Sequence, residues 1–193
     1  MKLWKTLLIG LAATLPLTLT GTASASAPSA GPARQAAASA LGATQSLVAV
    51  DCYDNIVIMG ANDRFVSAEL GYAGARYGEL RARATAVGPW ELFGLCRNRS
   101  TGETILWSEA NGDFVSAEIA YGGSDYAELR ARATEIGPWE RFYTPNTPGS
   151  GNTYFFADAN LGYVSAELAY SGDGYAKLRS RATERGAWET FRW

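Results

Sequence analysis

Residues 110–142 read ANGDFVSAEIAYGGSDYAELRARATEIGPWERF. The same string recurs upstream over Ala61–Phe93 as ANDRFVSAELGYAGARYGELRARATAVGPWELF. It recurs downstream over Ala159–Phe191 as ANLGYVSAELAYSGDGYAKLRSRATERGAWETF. Trp90, Trp139 and Trp188 stand 49 residues apart, as do Glu69, Glu118 and Glu167. No insertion breaks the register, so one unit is written three times. Three units of this length fill residues 47–193.

Each unit holds four short apolar runs. The first is Ile56–Met59, with copies at Ile105–Ser108 and Tyr154–Ala157. The second begins at Phe65. In the third, Leu80, Ala82 and Ala84 alternate with Arg81, Arg83 and Thr85. The fourth follows Gly88-Pro89 and holds Trp90 and Phe93. Turn signals such as Asn62-Asp63, Asn111-Gly112, Gly122-Gly123 and Gly137-Pro138 separate them. Alternation with period two, broken by turns every 8–12 residues or so, means strands. Twelve strands in three equal units predict an all-β body with pseudo-threefold symmetry. A propeller takes about 4–8 blades, and three would leave its centre open. A barrel capped by three hairpins, the β-trefoil, fits the count, and closure removes exposed sheet edges.

The alternation also assigns faces. Leu80, Leu129 and Leu178 should point inward, and Arg81, Arg83 and their copies outward. Val66, Ala68 and Leu70 share a face opposite Ser67 and Glu69. Trp90 and Phe93 lie three apart, which a simple strand cannot put on one face. Either the fourth strand starts after Trp90 or the indole lies across a barrel end.

The residues ahead of the repeats read differently. Lys2 and Lys5 make a positive start, Thr6–Thr20 an apolar stretch, and Ala23-Ser24-Ala25 a small-residue cleavage site. Residues 1–25 therefore read as a secretory signal peptide, with cleavage after Ala25 or Ala27. Its apolar run is too short to span a membrane, so the exported chain should not be membrane-embedded. Residues 26–46 are Ala, Ser, Pro, Gly and Gln with one charge, Arg34. They carry no core-facing stripe and read as a disordered linker, weakly helical at most near Ala36–Ala40.

Composition excludes several functions. Hydrophobic residues make up 47%, enough for a core and too many for global disorder. The chain has no His, which removes His-dependent triads, His metal ligands and His pH switches. Its 17 basic and 19 acidic residues give a charge of -2, not the footprint of a nucleic-acid binder. No phosphate loop, metal-ligand spacing or nucleotide fingerprint occurs, so no cofactor and no metal are expected.

The repeated pattern of Ala-Asn, Phe-Val-Ser-Ala-Glu, Leu-Arg-Ala-Arg-Ala and Gly-Pro-Trp-Glu resembles the fascin-like β-trefoil domain. That family occurs in actin-bundling proteins and in secreted bacterial proteins. The resemblance covers about 47–193 and recurs three times. It implies a β-trefoil and, as partner, an actin filament. The family's actin-bundling members carry four such domains, and one is present here. Related ricin-type trefoils bind sugar with a Gln-x-Trp signature, which is absent, since Trp90 follows Gly88-Pro89.

Few residues are left to carry chemistry. Cys52 and Cys96 are the only cysteines, and an even count in an exported chain predicts one disulfide. Glu69, Glu118 and Glu167, with Glu91, Glu140 and Glu189, are triplicated carboxylates. A glycosidase needs two carboxyls in unlike environments, whereas threefold copies give like ones. They read instead as partners of Arg81, Arg83 and their copies. Asn62, Asn111 and Asn160 read as turn formers. Tyrosines are more suggestive: Tyr72 and Tyr77, Tyr121 and Tyr126, Tyr170 and Tyr175 each flank a turn of small residues. With Asp125 and Asp173 nearby, their rings could stack on a sugar and its hydroxyls could be held. The competing reading packs one Tyr of each pair under its hairpin. These residues together predict a secreted, monomeric, non-catalytic module that binds a polysaccharide or other glycan, with actin as the alternative partner.

Overall fold

The computed structural model describes residues 31–42 and 49–193. The expected signal peptide and its cleavage site lie outside them. No helix among the described residues is long and apolar enough to cross a membrane.

Thirteen strands form among the described residues, one more than the four per unit of the sequence. The first repeat holds β1 (Val50–Ile56), β2 (Phe65–Glu69), β3 (Glu79–Ala84) and β4 (Phe93–Asn98). The second holds β5 (Glu103–Ser108), β6 (Phe114–Glu118), β7 (Glu128–Ala133) and β8 (Phe142–Tyr143). The third holds β9 (Asn152–Thr153), β10 (Phe156–Ala157), β11 (Gly162–Ala166), β12 (Leu178–Ala182) and β13 (Phe191–Arg192). Its opening strand is split at Tyr154-Phe155, which gives the extra element. In the first repeat the expected run Ile56–Met59 is extended only in part: β1 ends at Ile56, and Met59 makes isolated bridges to Phe65 and Arg192.

The pairing is that of a β-trefoil. Antiparallel neighbours β1, β4, β5, β8 and β10 follow one another around the barrel, and β13 pairs with β9. Met59 and Arg192 then exchange backbone hydrogen bonds of 2.8 and 2.9 Å, joining the first repeat to the last. The hairpins β2–β3, β6–β7 and β11–β12 cap one end. They also meet one another on the pseudo-threefold axis: Glu79 stands opposite Arg130, Glu128 opposite Arg179, and Lys177 opposite Arg81. Backbone bonds repeat this symmetry, from Ala131 N–H to Gly78, Ser180 N–H to Ala127, and Ala82 N–H to Ala176.

The core follows the expected apolar faces. Leu80, Leu129 and Leu178 are buried in it with Val66, Val115 and Val164, over a ring of Phe93, Phe142 and Phe191. The arginine assignment is corrected. Arg81, Arg130 and Arg179 are buried, not outward, whereas Arg83, Arg132 and Arg181 are about one-third exposed. A period-two strand has one wet face only when nothing packs on it, and here the hairpins pack on each other.

A second, smaller cluster lies outside the barrel. Residues Pro32–Ala40 form a helix, α1, which corrects the reading of 26–46 as disordered over that stretch. Pro32 at its first turn has the φ a helix start requires. Ala37 and Leu41 are buried against Cys96, Ile105, Trp107 and Phe114. Arg34 pairs with Asp54 and donates to the Cys52 carbonyl at 3.0 Å. Beneath the helix Cys52 and Cys96 are disulfide-bonded, directly opposite in the β1–β4 pair. Cys52 sits inside β1.

Candidate functional site

The triplicated carboxylates resolve into two structural roles. Glu91 and Glu140 end one-turn 3-10 segments that start at Pro89 and Pro138, and Glu189 ends a simple turn over Ala187–Glu189. Each carboxylate reaches back and accepts the N–H of Gly88, Gly137 or Gly186 at 2.7 Å. This is the reciprocal half of a capping box, and all three are buried in it. The turn also settles Trp90: it lies within Pro89–Glu91, ahead of the strand that begins at Phe93, so the strand rule never applied to it.

Glu69, Glu118 and Glu167 each accept a bidentate arginine. Arg83 Nη2 reaches Glu69 at 2.7 Å, and Arg132 and Arg181 reach Glu118 and Glu167 at 2.6 Å. Those hydrogen bonds hold Arg132 and Arg181 above the ordinary arginine value against the opposing cost of burial. The same Nη2 atoms donate to Tyr72, Tyr121 and Tyr170 at 3.1, 3.2 and 3.0 Å. Each phenol oxygen is therefore oriented as an acceptor toward arginine, and its O–H is left to donate outward.

In the first repeat this Glu-Arg-Tyr unit walls a cleft of about 450 Å³ with Ser67, Gly71 and Trp90. A Cβ at residue 71 would lie 3.0 Å from the Trp90 ring, so the glycine lets the indole lie against the strand end. Ala120 and Ala169 keep that position small in the other repeats. Trp90 and Trp188 are 42% and 41% exposed, and Tyr121 and Tyr170 46% and 51%. Large rings at that exposure, fixed by a charged pair, present flat apolar faces with a polar edge.

The sequence-predicted residues separate into two groups. Tyr72 lines the cleft, and Tyr121 and Tyr170 hold the equivalent places beside Arg132 and Arg181. Tyr77 and Tyr175 reach across to a neighbouring repeat, where the hydroxyl of Tyr77 accepts from Asn111 at 3.5 Å and that of Tyr175 from Asn62 at 3.4 Å, while Tyr126 is exposed. Neither member of a pair is buried under its hairpin. The three asparagines do more than turn the chain, because each amide donates across to a carbonyl in the third strand, Ala82, Ala131 or Ser180. Asp125 and Asp173 are not beside the tyrosine rings. They stand at the mouth of a separate pocket on the hairpin axis, where Asp173 lies 3.4 Å from Arg76. Trp90, Trp139 and Trp188 were absent from the sequence-based site, although their 49-residue spacing marked them.

No family model and no curated protein matches this sequence. The fold has solved counterparts. A designed threefold-symmetric protein, ThreeFoil, superposes with a TM-score of 0.56 at 15% identity, over 73% of this chain and 96% of that one. A proteinase inhibitor from Coprinopsis cinerea gives 0.55 at 11%, over 75% and 97%. An exo-β-1,3-galactanase from Clostridium thermocellum gives 0.55 at 9%, over 72% of this chain and 29% of the enzyme. At these identities the likeness is one of fold, and the fold they share with this chain is β-trefoil-like.

Proposed function

We propose that this chain is an exported, non-catalytic binding module of the fascin-like β-trefoil type, and that it recognises carbohydrate. One observation carries the reading: a Tyr beside a bidentate Glu-Arg pair stands at the same place in each repeat, with an exposed Trp in the first and third repeats and a half-buried Trp139 in the second. Aromatic faces stack on the apolar side of a sugar ring, and the Tyr O–H and Arg edge meet its hydroxyls. Repetition of the Glu-Arg-Tyr unit on one body would add avidity without any new contact. The carboxylates of these units are saturated by arginine and are alike in each repeat, which suits holding a ligand better than acid-base chemistry. A trefoil segment within a galactanase supports the substrate class as an analogy of fold.

The resemblance to fascin-like domains favours actin filaments as the second reading. Co-sedimentation with insoluble polysaccharides and, separately, with filamentous actin distinguishes them. The carbohydrate reading expects glycan pull-down that is lost in the double variant Tyr170→Ala, Trp188→Ala with the fold intact by circular dichroism. Pull-down by actin alone, or glycan binding indifferent to those substitutions, overturns it.

A further inference from the structure

The three hairpins carry a layer of twelve charged positions around their axis. Six are arginines, repeated faithfully as Arg81, Arg83 and their copies, and three are the carboxylates Glu69, Glu118 and Glu167. The remaining three break the symmetry. The first and second repeats place Glu79 and Glu128 there, and the third places Lys177. A third glutamate would balance the layer at six against six. Lys177 leaves five carboxylates facing seven cations.

Side-chain geometry localises the excess. Lys177 Nζ sits 3.1 Å from Glu79 and 2.8 Å from Glu128, so it engages both axial carboxylates. Arg130 spans Glu118 and Glu128 with its two Nη atoms, at 2.5 and 2.6 Å. Arg81 turns to the carbonyls of Tyr175 and Gly172 at 3.1 Å. Arg179 is 5% exposed, and among the described residues it makes no ion pair and no side-chain hydrogen bond. A buried guanidinium without an acceptor is costly and calls for an explanation.

Over Arg179 lies a pocket of about 290 Å³ on the axis, lined also by Arg76, Arg130 and Lys177. Three guanidiniums on its wall hold buried N–H groups without an acceptor: Nε of Arg179, Nε of Arg130, and Nε and Nη2 of Arg76. The nearest carboxylates to Arg76 are Glu79 at 3.5 Å and Asp173 at 3.4 Å, ion pairs that complete no hydrogen bond. Asp125 and Asp173 stand at the rim and Glu79 on the wall. Once Arg76 and the two rim aspartates are counted with the twelve, one positive charge remains, so the layer as a whole favours an anion.

We propose that this axial pocket is a binding site for a single oxyanion, such as the carboxylate of a sugar acid or a small inorganic anion. The guanidinium forks supply charge-assisted donors, and the hairpin ring supplies a dry, fixed cradle. The site is distinct from the Trp-Tyr clefts and stands whether or not those clefts bind sugar.

Titration calorimetry of the full exported chain tests it with glucuronate, sulfate and phosphate, and with glucose as the neutral arm. Saturable binding of one anion per chain is expected, none for glucose, and unchanged binding in Trp188→Ala. Preference for glucuronate identifies a sugar acid; preference for sulfate or phosphate identifies an inorganic anion. Arg179→Met should weaken the anion at least about tenfold, the loss of one charge-assisted contact. It should also raise the melting temperature in anion-free buffer, because an uncompensated buried charge is gone. Lys177→Glu balances the layer and should abolish binding while leaving the fold intact, which covers the case of Arg179→Met failing to fold. No saturable binding by the wild-type chain, or binding that survives Lys177→Glu, overturns the proposal.

Discussion

Tyr72 and Tyr170 occupy the same place in the first and third repeats, and each accepts a hydrogen bond from its arginine. Their rings are not equally available. Arg76 lies over the Tyr72 ring at 4.0 Å, whereas the nearest guanidinium to Tyr170 is Arg181 at 5.9 Å. The reason is in the next turn, where the first repeat has Arg76 and the third has Gly174. A symmetric backbone therefore does not make three equal surfaces. The turn residues, which the barrel does not constrain, decide which copy is open.

The largest test of the comparison concerns the β1–β4 pair, whose disulfide has no counterpart in the other repeats. Its bond closes a separation of 44 residues. Cys52→Ala combined with Cys96→Ala should cost about 4 kcal/mol in the chain-entropy account. Urea denaturation measures this, and a cost near zero would place the pair's stability in the barrel and α1 alone.

Symmetry of the core predicts near-equal effects. Leu80→Ala, Leu129→Ala and Leu178→Ala should each cost about 2–5 kcal/mol and agree within about 1 kcal/mol. Values that diverge beyond that would show that the repeats collapse around a cavity differently.

The charged layer predicts unequal ones. Glu118 serves both Arg130 and Arg132, while Glu69 and Glu167 each serve one arginine. Glu118→Gln should therefore destabilise by about 3 kcal/mol, and Glu69→Gln and Glu167→Gln by clearly less. Thermal melts of the three variants, compared side by side, check the order.

The smallest effect bears on the open and covered rings. Arg76→Gly removes a stacked cation at a cost of about 0.5–1 kcal/mol. It should also raise the affinity of the first cleft toward that of the third, read by titration against whichever glycan the chain retains.

The fold was legible because a 49-residue period is a global signal that needs no knowledge of partners. Leu80 and its copies, and Glu69 with Arg83, followed from that period and alternation. What stayed hidden depended on contacts distant in sequence. Arg81 looked outward because its strand alternates, and only the meeting of three hairpins buries it. Asp125 and Asp173 looked like neighbours of their own tyrosines, but the turns bend toward the axis. Residues Pro32–Ala40 lacked an apolar stripe because small alanines suffice against Trp107 and the disulfide, and the Asp54 partner of Arg34 lies across a gap of 20 residues. The clefts were legible only in part, since Trp90 belongs to a single turn of 3-10 helix that neither strand nor helix periodicity detects.

The joint between Met59 and Arg192 has a kinetic consequence. The two residues are 133 apart, and their backbone bonds are what turn a row of strands into a barrel. A nascent chain holding the first two repeats has hairpins and much of its apolar surface but two unpaired edges. Such an intermediate is slow to profit from its long-range contacts and exposed to association with its own kind. Synthesis must reach Arg192 before the ring can shut, so β13 acts as the latch.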